Sequence, residues 1–243
     1  MKLLFIFALL AAPALAAPRV IPASDLIIRQ SSPNLDWLWR VAPEAAMQPA
    51  LLASMRGAAL KAAAKARGDA ANDAASARKS GFPFRRYNAI GDWTLAADTP
   101  RLLALAGETY SFTGGAHGNT GFAARIWDKT AKRSIPIDAL FSDWPRARKI
   151  LEPAFCKALA EEQVRRLGAV PVDDMHSCPR LAEQPVVPWA GLGPLAVQFR
   201  VLVAPYVAGP YAEGAYLITI PWPEAVRPLV KAAYRNDLFG PDR

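Results

Sequence analysis

The sequence is poor in histidine and cysteine, the two residue types that most often build metal and redox sites. It has only His117, His176, Cys156 and Cys178 among its 243 residues. A zinc site needs three or four ligands at workable spacing, so these side chains offer little material for one. There is no C-x-x-C pair and no G-x-S-x-G sequence, which argues against a dithiol redox protein and a nucleophile-elbow hydrolase. We expect no metal and no cofactor.

Long apolar runs are also scarce. After Met-Lys the chain is apolar from Leu3 to Ala12 and then reads Ala14-Leu15-Ala16. The run is about ten residues, whereas a membrane-spanning helix needs roughly 20. A basic start, a short apolar core and an A-x-A site are typical of a secretory signal peptide. We predict a signal peptide over residues 1–16 that is cleaved near Ala16, a periplasmic or secreted protein, and no stable membrane insertion.

Acidic residues are outnumbered by basic ones. Lys and Arg total 29 against 21 Asp and Glu, a formal charge of +8 that becomes +7 when Lys2 leaves with the signal peptide. Such a charge favours anionic partners in the cell envelope, although it also serves solubility. An exported chain without a clustered array of basic and aromatic residues is a poor nucleic-acid binder. We expect a monomer and no nucleic-acid partner.

The two cysteines predict a disulfide, because an even pair in an oxidising compartment is normally bonded. The bond between Cys156 and Cys178 would close a loop of about 20 residues, which stabilises by about 3 kcal/mol in the chain-entropy model. It would tie a proline-rich segment, residues 169–194, to a helix that begins at Trp144. We interpret that segment as an irregular loop.

Helical and strand-like patterns alternate along the chain. Ala45–Lys79 is rich in alanine, the best helix former, and Trp144–Gly168 is a second amphipathic segment. Alternating or β-branched runs predict strands at Asn34–Val41, Tyr87–Ala97, Arg101–Thr113, Thr120–Asp128, Ser134–Ile137, Leu195–Val203 and Ala215–Ile220. Residues 18–33 form an extended lead-in, and Pro223 opens a final helix to about Ala233. We predict an α+β fold in which both helices pack on an antiparallel sheet.

One glycine-rich loop is the best candidate for a functional site. Gly114, Gly115 and Gly118 surround His117 between two predicted strands. Glycine is favoured where the backbone needs positive φ or where another group approaches closely, so the loop would present His117 and Asn119. Alternatively, His117 hydrogen-bonds across the loop to fix its shape. The glycines themselves suit either a bulged hairpin or a small oxyanion hole.

A second turn, rich in glycine and proline, contains two tyrosines. Tyr206 and Tyr211 lie in and after the sequence Pro205–Pro210. Tyrosine suits both sugar faces and core packing, and we favour core packing for Tyr206. The candidate ligand-binding residues are Gly114, Gly115, His117, Asn119, Tyr206 and Tyr211.

Both segments carry a specific resemblance. TGGAHGN at Thr113–Asn119 precedes Trp127-Asp128 and Leu140-Phe141, and APYVAGP at Ala204–Pro210 precedes the strand that ends Ile218–Pro221. In this order and spacing they resemble the extracellular module shared by the anti-sigma factor RsiV and the N-terminal part of the peptidoglycan deacetylase PdaC. The resemblance covers residues 34–230. It implies a PdaC-like half, residues 17–130, and an RsiV-like half, residues 131–243, that form one compact unit.

The resemblance also implies a non-catalytic envelope domain. An anti-sigma factor of this kind needs a cytoplasmic segment and a membrane span, and a deacetylase of the PdaC kind needs a metal triad with an H-x-x-x-H pair. This sequence has neither feature. Ala131 replaces the glycine usual in the turn after Trp127-Asp128. Because lysozymes are commonly basic, this basic chain is a poor electrostatic match for one.

The sequence therefore leaves two functions open. The first is a secreted or periplasmic binding or sensor domain that recognises peptidoglycan or an envelope-directed protein. The second is a hydrolase of cell-wall glycans or esters that uses the His117 loop. A glycosidase needs two opposed carboxylates, and the candidates show no distinguishing pattern. These candidates are Glu108, Asp128, Asp138 and Asp143.

Overall fold

The α+β class is confirmed by a computed structural model that describes residues 23–169, 173–191 and 193–241. The predicted signal peptide, residues 1–16, lies outside the described residues. Within the described ranges, no helix has the length and apolar character that a membrane span requires.

The first sheet has six strands that lie side by side in chain order. They are β1 (Ile27–Ser32), β2 (Leu35–Val41), β3 (Tyr87–Asp98), β4 (Leu102–Phe112), β5 (Asn119–Asp128) and β6 (Arg133–Ile135). All neighbours are antiparallel except β2 and β3, which are parallel. A parallel pair needs a crossover connection. Helix α2 (Pro49–Lys79) is that crossover.

Helix α2 forms because its sequence is dominated by alanine and contains no β-branched residue. Pro49 occupies the first turn, where a missing N–H costs nothing, and Gly81 ends the helical region with φ +71°. The buried face of α2 packs on the tryptophans of β2 and on leucines of β4. The buried helix residues are Leu51, Met55, Ala59, Ala63, Ala70 and Ala74.

A second sheet covers the opposite face of the first one. Its strands β7 (Val186–Trp189), β8 (Gln198–Val203) and β9 (Tyr216–Pro221) form an antiparallel meander. Helix α3 (Trp144–Leu167) packs on β9 and runs without interruption past Pro153. At its start, the Asp143 carboxylate caps the helix by accepting a hydrogen bond of 3.0 Å from the Arg146 amide.

The second core joins residues from both predicted halves. Leu102 and Ile126 of the first sheet pack with Phe155 of α3 and Val201 of β8. Strand β6 lies after residue 130 and still completes the first sheet. The two halves therefore form one compact unit.

Several element predictions are wrong. The lead-in contains β1, and the predicted irregular loop contains β7, where Pro188 sits in a strand at the edge of its sheet. The single antiparallel sheet is two sheets with one parallel pair. The final helix is divided, because Pro228 lies inside a 3-10 segment, Glu224–Leu229. Helix α4 follows at Ala232–Phe239, and the chain's first described helical turn is α1, Ala23–Leu26.

Candidate functional site

The glycine-rich loop and the second turn meet in space, although they lie about ninety positions apart in the chain. The His117 ring stacks on Tyr211, with 3.8 Å between ring centroids and 20° between planes. The Tyr206 hydroxyl lies 3.2 Å from His117 Nε2. These three side chains form what we call the ring surface. The fold thus brings together the two segments that carry the resemblance.

The partners of His117 define its tautomer. The Gly118 carbonyl oxygen only accepts, so Nδ1, which lies 2.9 Å away, carries the proton. In the neutral ring Nε2 is then the acceptor for the Tyr206 hydroxyl. His117 is exposed, and both of its nitrogens are engaged. The ring is held in one orientation at the surface.

Two of the three loop glycines occupy positions where any other residue would be strained. Gly114 has φ +90°, and a Cβ on Gly118 would overlap the Tyr110 ring. Gly115 has neither constraint, and its carbonyl oxygen accepts a bond from Arg85 Nη1 at 3.2 Å. The loop shape therefore depends on Gly114 and Gly118.

Tyr206 is displayed at the tip of its turn. It is 55% exposed, so the prediction of core packing is wrong. Its φ is +71°, a conformation that bulky residues rarely adopt. The turn holds it there: the Tyr206 amide donates to the Gly209 carbonyl at 3.1 Å. A strained residue whose ring faces solvent is characteristic of a functional position.

Two other predicted ligand residues, Tyr211 and Asn119, lie in different places. Tyr211 is half-buried in a 3-10 turn, Tyr211–Glu213, and its ring centroid lies 5.6 Å from that of Tyr206. Asn119 is exposed at the first position of β5. Within the described ranges, no hydrogen bond joins its side chain to the ring surface.

A network of polar side chains that the sequence did not reveal supports the second turn. His176 donates to Asp173 Oδ1 and Glu213 Oε1, both at 2.7 Å, and its side chain is 8% exposed. The Tyr216 hydroxyl donates to the other Glu213 oxygen at 2.5 Å. Gly209 packs so closely on Glu213 that a Cβ there would overlap the carboxylate. Glu213 therefore fixes the turn that carries Tyr206.

Hydrogen bonds shift the pKa values of the side chains in this network. The pKa of His176 is raised, first by the bond to Glu213 and then by the bond to Asp173. Burial works against ionisation of Glu213, but bonds from Tyr216 and His176 outweigh it and lower the pKa of that carboxyl. Burial and the same carboxylate raise the pKa of Tyr216 to about 12. When His176 is protonated, the centre is an imidazolium between two carboxylates.

The predicted disulfide is confirmed, and it lies beside this polar network. Cys156 of α3 is bonded to Cys178, two residues after His176. About two turns further along α3, the Gln163 amide donates to the His176 carbonyl at 3.2 Å and to the Ala208 carbonyl at 3.1 Å. The helix thus clamps both the His176 loop and the Tyr206 turn.

Asp128 is a structural anchor and does not face the ring surface. Its carboxylate accepts bonds from the Arg101 guanidinium, the Tyr234 hydroxyl and the amides of Thr130 and Ala131, at 2.8–3.1 Å. Burial alone would raise its pKa, but these donors, led by the Ala131 amide, lower it. In the turn that follows, the residue with positive φ is Lys132 and not Ala131. Asp128 therefore joins α4 to the first sheet.

The other predicted carboxylates have different surroundings. Asp143 caps α3, Asp138 is exposed in a 3-10 turn, and Glu108 lies in the cleft between the sheets. Within residues 23–169, 173–191 and 193–241, no group of three or more metal-ligating side chains is placed to hold an ion.

Comparisons with known proteins agree with the resemblance. A family model described as deacetylase PdaC matches residues 43–120. A crystal structure of a DUF3298 family protein from Pseudomonas aeruginosa PAO1 is 15% identical and superposes with a TM-score of 0.53, covering 89% of this chain and 97% of that one. A DUF3298 protein from Bacteroides fragilis is also 15% identical, with a TM-score of 0.52 and coverages of 85% and 88%. No curated protein matches the sequence. The PdaC-like part of the resemblance is confirmed by the family model, which includes the first motif, and the fold is that of the DUF3298 structures.

Proposed function

We propose that this chain, which carries a PdaC/DUF3298-like module, is an exported, non-catalytic binding or sensor domain that recognises peptidoglycan through its ring surface. The observation that carries the proposal is Tyr206, which is held at φ +71° with its ring exposed. An exposed ring adds nothing to the stability of the protein core. It does offer a flat face on which a ligand can stack.

The chemistry of the ring surface suits a glycan strand. A sugar ring has an apolar C–H face and polar hydroxyls at its edge, and tyrosine offers an apolar ring with a hydroxyl at its tip. Tyr206 provides the open face, while Tyr211 is covered on one side by His117. The basic charge of the chain supports an anionic envelope polymer over an envelope-directed basic protein.

The hydrolase alternative rests on one distance. The Tyr206 hydroxyl lies 3.2 Å from His117 Nε2, which is compatible with a nucleophile and its base. A carboxylate usually orients such a histidine, whereas here a carbonyl oxygen does so. Tyr206→Phe separates the two functions, because it keeps the ring and removes the hydroxyl.

Co-sedimentation of the mature protein with purified peptidoglycan sacculi tests the proposal. Tyr206→Gly should weaken binding about tenfold or more, the loss expected of an anchoring aromatic side chain. Tyr206→Phe should bind nearly normally, and Leu60→Ala is the control because Leu60 is similarly exposed on α2.

Four results would contradict the proposal. Absence of sedimentation across a range of salt would do so, as would normal binding by Tyr206→Gly. Release of reducing ends or ester cleavage that Tyr206→Phe abolishes would establish the hydrolase instead. Retention of a soluble envelope protein without any binding to sacculi would replace the glycan by a protein partner.

A further inference from the structure

A groove lies on the side of the first sheet that faces α2, away from the ring surface. Its volume is about 400 Å³, within the range of small-molecule sites. It exists because both walls carry small residues: α2 contributes exposed alanines such as Ala62, and β3 contributes Gly91. Protein interiors are normally packed without such spaces.

Tryptophans form the apolar lining of this tryptophan groove. Trp39 leans against Gly91, where a Cβ would come within 3.2 Å of the indole, and Trp93 lies flat over Gly107. Along α2 the lining extends from Met55 to Ala66, which corresponds to about 16 Å of helix. The groove is therefore long and apolar.

One charged side chain, Arg125 of β5, lines the groove beside Trp93. Its Cζ lies 5.9 Å from the centroid of the Trp93 ring, and its Nε is buried without a hydrogen-bond partner. Within the part of the chain that the structure describes, no carboxylate forms an ion pair with it. A buried donor without a partner costs free energy, which a bound anion would recover.

We propose that the tryptophan groove binds a single-chain anionic amphiphile, with its hydrocarbon chain along the tryptophans and its carboxylate or phosphate at Arg125. Length and apolar lining select the chain, and the guanidinium selects the charged end. The site shares no residue with the ring surface, so either assignment stands or fails without the other.

Tryptophan fluorescence of the mature protein measures this binding directly. A bromine-labelled long-chain fatty acid should quench the groove tryptophans in a saturable way, and dodecanoate should displace it. Arg125→Met should weaken binding of the acid at least tenfold while dodecanol binds equally to both proteins, and Arg125→Lys should retain most of the affinity.

A matched pair of helix variants locates the site. Ala62→Phe fills the groove and should prevent quenching, whereas Ala64→Phe places the same ring on an exposed position of α2 that does not line the groove. Thermal melts establish that all variants are folded.

Several outcomes would overturn the proposal. These are the absence of saturable quenching, equal binding by folded Arg125→Met, and undiminished binding by Ala62→Phe. Quenching by brominated phosphatidylglycerol vesicles without any response to the monomeric acid would also overturn it, because the surface would then recognise a membrane instead of a single bound molecule.

Discussion

The two histidines of this chain lie in regions of opposite character. His117 is exposed, stacks on Tyr211 and has a carbonyl and a hydroxyl as partners. His176 is buried between two carboxylates. The first belongs to a surface that displays rings, and the second belongs to the structure that holds this surface in place. A histidine count alone does not separate these roles, but the partners of each ring do.

The largest expected effect comes from opening the disulfide in the His176 region. Replacing Cys156 and Cys178 by serine removes a cross-link that spans 22 residues. The free energy of unfolding should fall by about 3 kcal/mol, because the unfolded chain regains loop entropy. Binding to sacculi should persist in the folded variant, since Gln163 still clamps the turn.

Denaturant unfolding of the wild type and of the double variant, each with and without reductant, measures this effect. Only the wild type should respond to reductant. If the folded double variant no longer binds sacculi, the disulfide region does more than support the ring surface.

The contrast between the histidines also shows what a sequence reveals. The loop around His117 was predicted from its glycines, because local rules for positive φ and close approach act within a few residues. Both strands beside it and both long helices were predicted within a few residues as well. These features depend on local propensity and period.

Three features that depend on distant partners were not predicted. His176 meets Glu213 across 37 positions, and no pattern in either segment indicates the other. Tyr206 was assigned to the core because its ring suits burial, but the Gly209 turn rotates it outward. Strand β7 was not predicted because Pro188 argues against a strand. It is tolerated there because β7 is an edge strand that pairs on one side only. Tertiary context decided all three.

A second prediction compares the two histidines directly. His176→Gln should lower the melting temperature more than His117→Gln at pH 6, because only the first leaves the largely buried Glu213 carboxylate without its cation. An unfolded histidine titrates near pH 6.5. Since the folded pKa of His176 is raised, its contribution is complete below that pH and is lost as the pH rises through the folded value.

The difference in unfolding free energy between the wild type and His176→Gln should therefore shrink as the pH rises through the folded pKa of His176. At the acid end, the contribution of Glu213, whose pKa is lowered, is lost as the pH falls through its folded value. Denaturant titrations at a series of pH values measure both limits. A pH-independent difference, or equal losses for the two histidine variants, would show that His176 is not the supporting cation.

The smallest expected effect concerns the backbone of Tyr206. Glycine adopts φ +71° without strain, whereas an alanine there pays about 1–2 kcal/mol, which the higher entropy of unfolded glycine partly offsets. Tyr206→Gly should therefore be more stable than Tyr206→Ala by about 0.5–1 kcal/mol. Both variants lack the ring, so both should lose binding to sacculi equally. Stability from denaturant unfolding and binding from co-sedimentation then separate the strain from the ligand contact. Equal stability of the two variants would mean that the turn imposes no strain, and the argument that Tyr206 is held outward for a ligand would lose its basis.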